Sequence, residues 1–374
     1  MAPESSAKIK HFKPYFSPAE VERLSTKQRG KLSVSREEKV RLQACGFIEG
    51  VGVRCGFPRK TISTAQTLYM RFHLFFPYKD FNHIDVSLSV LHVSAKLHDT
   101  LKKPCDIILA SYAIRYPHLV KKGQVDASSV DPRVIEEERK KVLGIERLVL
   151  ETMCFKFEVD EVGPYVLKIS RRLRLDRKAC KAAWSIAVDC HRTPAPLSFP
   201  PHVIALGSIY VAALLSLESP VPLSNSDAEN RPVIEPGTWE YVVETLSKSG
   251  LWEEEYFASA NQVDDITHYL LDLYTTLLST PLDPSMHPSP VSPKEPKPSP
   301  STSTPSLPLS AYRLTSYWTP QTLTELKIHL RNRRPGKPAV TPWPNSQVED
   351  ESQSAIEGVG QNEGTVRFVW DSIE

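Results

Sequence analysis

Two apolar runs in this chain occur twice. Residues 85–97 (DVSLSVLHVSAKL) align without a gap on residues 203–215 (VIALGSIYVAALL), and residues 142–153 (VLGIERLVLETM) align on residues 263–274 (VDDITHYLLDLY). The alignments set Leu214 against Lys96 and Thr267 against Glu146, offsets of 118 and 121. A repeat of about 120 residues is too long for a solenoid unit and suits a domain, so the chain is expected to fold as two copies of one bundle.

The periodicity between the repeated runs is helical. Helices are expected at 35–55, opened by a capping pattern from Ser35 to Glu38, then from Pro58 through an apolar face of Ile62, Ala65, Leu68, Tyr69, Phe72 and Phe75. Further helices follow at 84–98, at 105–116 after Pro104, and from Asp131-Pro132 to about 153, since proline suits a first helical turn. A second set is read at 162–173, 176–192, 201–217, 238–248 and 260–278. The expected fold is all-α: two tandem five-helix bundles, 35–157 and 158–280, preceded by an extension (1–34) with a short helix near 18–24. Residues 281–308 hold ten of the 32 prolines among serines and threonines, a composition that cannot offset its ordering entropy. Residues 281–374 are therefore expected to be a largely disordered tail, with a short helix near 320–331 capped by Thr319-Pro320 and carrying Leu323, Leu326 and Leu330; docking on the folded domain, binding a third subunit, a nuclear signal and a merely nascent helix all fit it.

Composition narrows the function classes. A net charge of +2 on 374 residues argues against direct nucleic-acid binding, no apolar run approaches a membrane span, and the first thirty residues lack a signal core. Six dispersed cysteines without a Cys-x-x-Cys pair read as reduced thiols, with no metal site and no disulfide frame. Phosphate-loop, metalloprotease, nucleophile-elbow and kinase catalytic-loop patterns are all missing, so no catalytic residue and no cofactor is expected. The anomaly is Lys96 and Glu146, two charges in core-like runs whose copies carry leucine and threonine. A snorkelling lysine, an internal Lys96–Glu146 salt bridge and a partner contact all fit this pattern.

Residues 94–108 (SAKLHDTLKKPCDII) and 145–155 (IERLVLETMCF) resemble the cyclin box, and residues 201–215 and 264–274 resemble the second repeat of transcriptional cyclins of the K and T type. Within that family, residues 14–22, 27–33, 71–77 and 101–104 resemble the beta subunits of fungal CTD kinase I. The resemblance implies a nuclear regulatory subunit that binds a cyclin-dependent-type kinase acting on the RNA polymerase II C-terminal repeats, in a complex where a third subunit is expected. It implies that Lys96 and Glu146 bond the kinase backbone ahead of its αC helix, on a floor of Val93, Leu97, Leu150 and Phe155. Lysine offers donors only and a carboxylate acceptors only, which together satisfy exposed backbone. The substrate-peptide groove of cell-cycle cyclins is not expected, because residues 40–49 keep Arg41 but lack that groove's methionine and tryptophan; His98-Asp99 likewise replaces a usual acidic pair. A cyclin for a different kinase, or a TFIIB-type factor binding DNA and polymerase directly, are the rivals; residues 1–34 contain none of the cysteines of that factor's zinc ribbon.

Two further features stand out. Arg171, Arg172, Arg174, Arg177, Lys178 and Lys181 form a basic cluster, read first as a solvated face and second as a contact for acidic segments. In the tail, Ser289, Ser292, Ser299 and Thr304 each precede proline and are candidate phosphosites, and residues 366–370 (VRFVW) form an apolar cluster.

Overall fold

The computed structural model describes residues 14–121, 124–125, 130–157, 160–218, 235–279 and 310–332. Its first repeat is built from α2 (Val34–Arg54), α3 (Arg59–Phe75), α4 (His83–Leu97), α5 (Pro104–Arg115) and α6 (Pro132–Thr152). The second is built from α7 (Val162–Arg172), α8 (Arg177–Cys190), α10 (Pro201–Ser216), α11 (Trp239–Leu246) and α13 (Ala260–Ser279). Helix α4 is central in the first set and α10 in the second, each packed on the other helices of its own bundle. The five-plus-five expectation holds, with additions: α1 (Pro18–Arg29), the short α9 (Ala195–Ser198) and α12 (Leu251–Tyr256), α14 (Pro320–Asn332), and a two-residue antiparallel ribbon of β1 (Val120–Lys121) and β2 (Gln124–Val125).

Local chemistry sets the helix ends. Helix α1 opens with a reciprocal capping box between Ser17 and Glu20 and runs five residues past its expected end near 24. The cap of α2 is Ser33, whose hydroxyl accepts from Arg36 N at 3.2 Å, and not the Ser35 pattern read from sequence. Asp131 caps α6 as expected, accepting from Arg133 N at 2.9 Å. Where α10 crosses α13, a Cβ on Gly207 would stand 2.5 Å from Ile266 Cγ2, so the helices meet at a distance only glycine permits. The position aligned with Gly207 is Ser89, and there the gap between α4 and α6 is filled by a hydrogen bond from Ser89 Oγ to Val142 O (2.9 Å).

The two bundles share a seam. Leu197 of α9 is buried in the core of the first repeat, Phe16 N donates to Leu197 O (2.9 Å), and Arg41 Nε donates to Arg192 O (3.3 Å). Thr67 Oγ1 and His191 Nδ1 share a hydrogen bond of 3.1 Å across the same junction.

The helix expected near 320–331 is present, and of the roles open to it the structure shows docking on the folded domain. Residues 310–332 are packed on the second repeat: Leu323, Leu326, Leu330 and Trp318 are all buried in its core. The leucine spacing that predicted an amphipathic helix is correct, and what it buries against is α13, so position 280 is not where packed structure ends. Ser289, Ser292, Ser299, Thr304 and residues 366–370 lie outside the described residues. All six cysteines are free; Cys45 and Cys190 are buried and the other four partly so. Among the described residues no helix is long and apolar enough to cross a membrane, and no cluster of His, Cys, Asp or Glu has metal-binding geometry.

Candidate functional site

Lys96 lies on the last turn of α4 and Glu146 midway along α6, and the packing of those two helices brings them together. Lys96 Nζ stands 2.6 Å from Glu146 Oε1; the lysine side chain is 48% exposed and the glutamate 13%. The internal salt bridge is therefore present in the free chain. Lys96 is not a core residue: α4 has reached the surface by that turn, and its ammonium projects into solvent. A pair so exposed contributes about 0–1 kcal/mol to stability, so its presence is a matter of surface chemistry more than of folding. One lysine proton engages the carboxylate, which leaves donors and acceptors on both groups for backbone of a partner.

His92, one turn before Lys96, completes the cluster. It is 4% exposed, and its Nε2 stands 3.7 Å from Glu146 Oε2, too long for a hydrogen bond but close enough for electrostatic coupling. Burial, reinforced by the Lys96 charge, pushes the imidazole below its ordinary pKa, so the ring is neutral near pH 7 and the carboxylate stays available to Lys96. Sequence reasoning passed over His92, although the alignment carries the signal: its aligned residue is Tyr210, a second polar substitution one turn from Lys96.

The expected floor divides. Leu97, Leu150 and Phe155 are half-buried beside the pair and can offer apolar surface. Val93 is 1% exposed and belongs to the core, because it points to the inner side of α4 one turn from the helix end. Phe155 reaches its place through two successive left-handed residues, Cys154 (φ 49°) and Phe155 (φ 56°), with Phe155 N bonded back to Leu150 O at 3.1 Å. Left-handed backbone costs a non-glycine residue about 1–2 kcal/mol, a strain that the chain accepts at this corner. Beyond the helix end, His98 Nε2 bonds Thr64 Oγ1 (2.8 Å), and Asp99 is itself left-handed (φ 53°).

In the second repeat the aligned residues are closed off. Leu214 is 2% exposed and Thr267 fully buried, its hydroxyl donating to Val263 O at 2.7 Å within its own helix. The basic residues Arg171, Arg172, Arg174, Arg177, Lys178 and Lys181 are all exposed at the α7–α8 corner, where Arg172 pairs with Glu255. Arg41 pairs with Glu38 (3.5 Å) beside the seam, lining a cleft of about 340 Å³ with Glu22, Arg29, Glu37 and Asp272.

No family model matches the chain. It is 35% identical over 212 residues to the CTD kinase subunit beta of Schizosaccharomyces pombe, a match covering 56% of this chain and 60% of that protein. With the CTD kinase subunit beta of Saccharomyces cerevisiae it shares 31% identity over 204 residues, 54% of this chain and 59% of that one. Cyclin-K of Danio rerio is 24% identical over 271 residues, 71% of this chain and 57% of its own length. The chain thus spans about three fifths of the curated relatives it matches. A chain of the yeast RNA polymerase II CTD kinase CTDK-1 complex superposes with a TM-score of 0.60 at 22% identity, covering 91% of this chain and 89% of that one. The fold is the cyclin fold, and the sequence is similar to CTD kinase beta subunits and to cyclins K and T.

Proposed function

We propose that this chain is a cyclin-type regulatory subunit that binds and activates a cyclin-dependent-type kinase phosphorylating the RNA polymerase II C-terminal repeats. The observation that carries the reading is the Lys96–Glu146 pair (2.6 Å), displayed at the surface between α4 and α6 where the copied repeat has buried Leu214 and Thr267. The names of the relatives, CTD kinase subunit beta and cyclin K, supply the class of partner and substrate.

In the complex Lys96 would donate to, and Glu146 accept from, kinase backbone ahead of αC, with Leu97, Leu150 and Phe155 excluding water around those bonds. Holding αC inward stabilises the conformer in which the kinase's own lysine–glutamate pair forms, so activation is a population shift and this subunit does no bond chemistry itself. Once desolvated, the contact becomes costly to break from one side, about 3–5 kcal/mol, enough to undo a micromolar complex. A nuclear location and a third subunit belong to the same reading.

The test is reconstitution: the purified chain mixed with the kinase it retains from a lysate, assayed on C-terminal-repeat peptide with and without the chain. Activation at least tenfold supports the reading. Strong, steeply salt-dependent binding to duplex DNA with no kinase retained would instead favour the TFIIB-type rival.

A further inference from the structure

The face that is open in the first repeat is covered in the second, and the cover is the chain's own residues 310–332. With the offset of 118, Leu97 aligns on Leu215; with that of 121, Leu150 aligns on Leu271. Leu97 and Leu150 are half-buried, whereas Leu215 is 1% exposed and Leu271 fully buried. The added cover touches these very places. Trp318 Nε1 donates to Leu215 O (2.8 Å), Leu323, Leu326 and Leu330 enter the core against α13, and Lys327 pairs with Asp272, the residue after Leu271.

The covering segment is also held by a dedicated anchor. Asp189, on α8, is fully buried, and it accepts from Ala311 N (2.8 Å), Tyr312 N (2.9 Å) and Ser310 Oγ (2.7 Å), with Tyr274 OH at 3.2 Å. A buried carboxylate is tolerable only when its lone pairs are filled, and the three donors from 310–312 do most of that. The offset of 118 sets Asp189 on Arg71. Arg71, 7% exposed, donates to Pro14 O (3.1 Å) and to Thr152 O (2.9 Å), so the first repeat fastens a segment from outside its bundle by a buried charge of opposite sign. In the first repeat the helix that follows the fastened segment, α1, packs on α3 and α9, and Leu97 and Leu150 stay half-buried.

We infer that the second repeat is itself a helix-docking module, occupied in cis by residues 310–332: a bent, non-helical stretch whose amides serve Asp189, a tryptophan for Leu215 O, and an amphipathic helix with leucines at 323, 326 and 330. Among the described residues one face of this kind is open, and detaching 310–332 uncovers a second. Tethering through residues 280–309 gives an effective concentration of about 1 mM, so an affinity of about 10 µM for the detached segment keeps the face about 99% covered.

The experiment uses the full chain carrying a specific protease site between 285 and 300, cut after folding. The C-terminal fragment is expected to stay with the rest of the chain at about 100 µM and to separate from it on dilution to about 1 µM. A fluorescein-labelled 310–332 peptide is expected to exchange into the cut protein with half-saturation below about 10 µM and to leave the uncut protein alone. Asp189→Asn should weaken that binding at least tenfold. Trp318→Phe, which keeps an aromatic side chain but removes the Nε1–H donor and part of the buried ring volume, should weaken it several-fold. A fragment that departs on cutting even at about 100 µM, together with no peptide bound at that concentration, overturns the inference, as does peptide binding that neither variant changes. No kinase enters the assay, so its result stands apart from the kinase reading.

Discussion

The two repeats keep the same central helix and diverge at its last turn. In the first, α4 ends in Lys96, half-exposed and paired to Glu146; in the second, α10 ends in Leu214 and Leu215 beneath Trp318. Duplication preserved the inner stripe, where the aligned Leu91 and Ile209 are both fully buried, because close-packed interiors tolerate little change in volume. The rim was free to follow whatever covers it. One repeat leaves polar groups exposed, where the proposed partner would dock, and the other accepts apolar cover from residues 310–332.

A swap of the rim residues tests this contrast most severely. Leu214→Lys buries an ammonium with no acceptor and should cost about 4 kcal/mol or more, melting the second repeat early in a thermal scan. The reciprocal Lys96→Leu removes a half-exposed charge and should move stability by no more than about 1 kcal/mol. Similar losses for the two would mean that the faces are not differently covered.

Next in size is the cover itself. Leu326→Ala leaves a cavity between α14 and α13 and should cost about 2–5 kcal/mol of docking. Hydrogen exchange should then speed up in α13 and α14 while α4 and α6 keep their protection.

Acid should separate the repeats as well. Burial holds His73 down to about 3 and pushes His83, His92 and His98 below their ordinary values, all in the first repeat; His191, down to about 4, sits at the seam. The unfolded chain binds protons at these sites from about pH 6.5 downward while the folded chain does not, so stability falls as pH drops below that value. For His73 and His191 the loss is about 1.4 kcal/mol per pH unit each. Exchange measured at pH 7 and pH 5.5 should show the first repeat loosening first.

The smallest effects lie at the helix crossings. Ser89→Ala removes the bond to Val142 O and should cost about 1 kcal/mol. Gly207→Ala must push Ile266 aside and should cost about 1–3 kcal/mol, which a denaturant midpoint resolves.

Much of this was legible in the sequence. Apolar periodicity is a local signal, and it located both bundles, the doubling and the leucine stripe of α14. Lys96 and Glu146 were visible because a duplication supplies its own control. Their contact was left open between partner and salt bridge, since a register says which residues share a face but not how far a lysine reaches. Val93 was placed on the docking floor because proximity in sequence does not say which side of a helix faces out. The helix of 310–332 was legible, with docking on the folded domain among its open roles, but how the segment is held was not, for a different reason. Its anchor is one aspartate 121 residues earlier, Asp189 to Ser310, and nothing local in either segment announces the other.

The most direct measurement is the fold-activation of the proposed partner kinase by Lys96→Ala and Glu146→Ala chains, each paired with a thermal melt of the free chain. Activation is predicted to fall at least tenfold while the melt stays nearly where it was, because the exposed pair adds only about 0–1 kcal/mol to the fold. Undiminished activation by both variants would contradict the assignment of the first repeat's open face to the kinase.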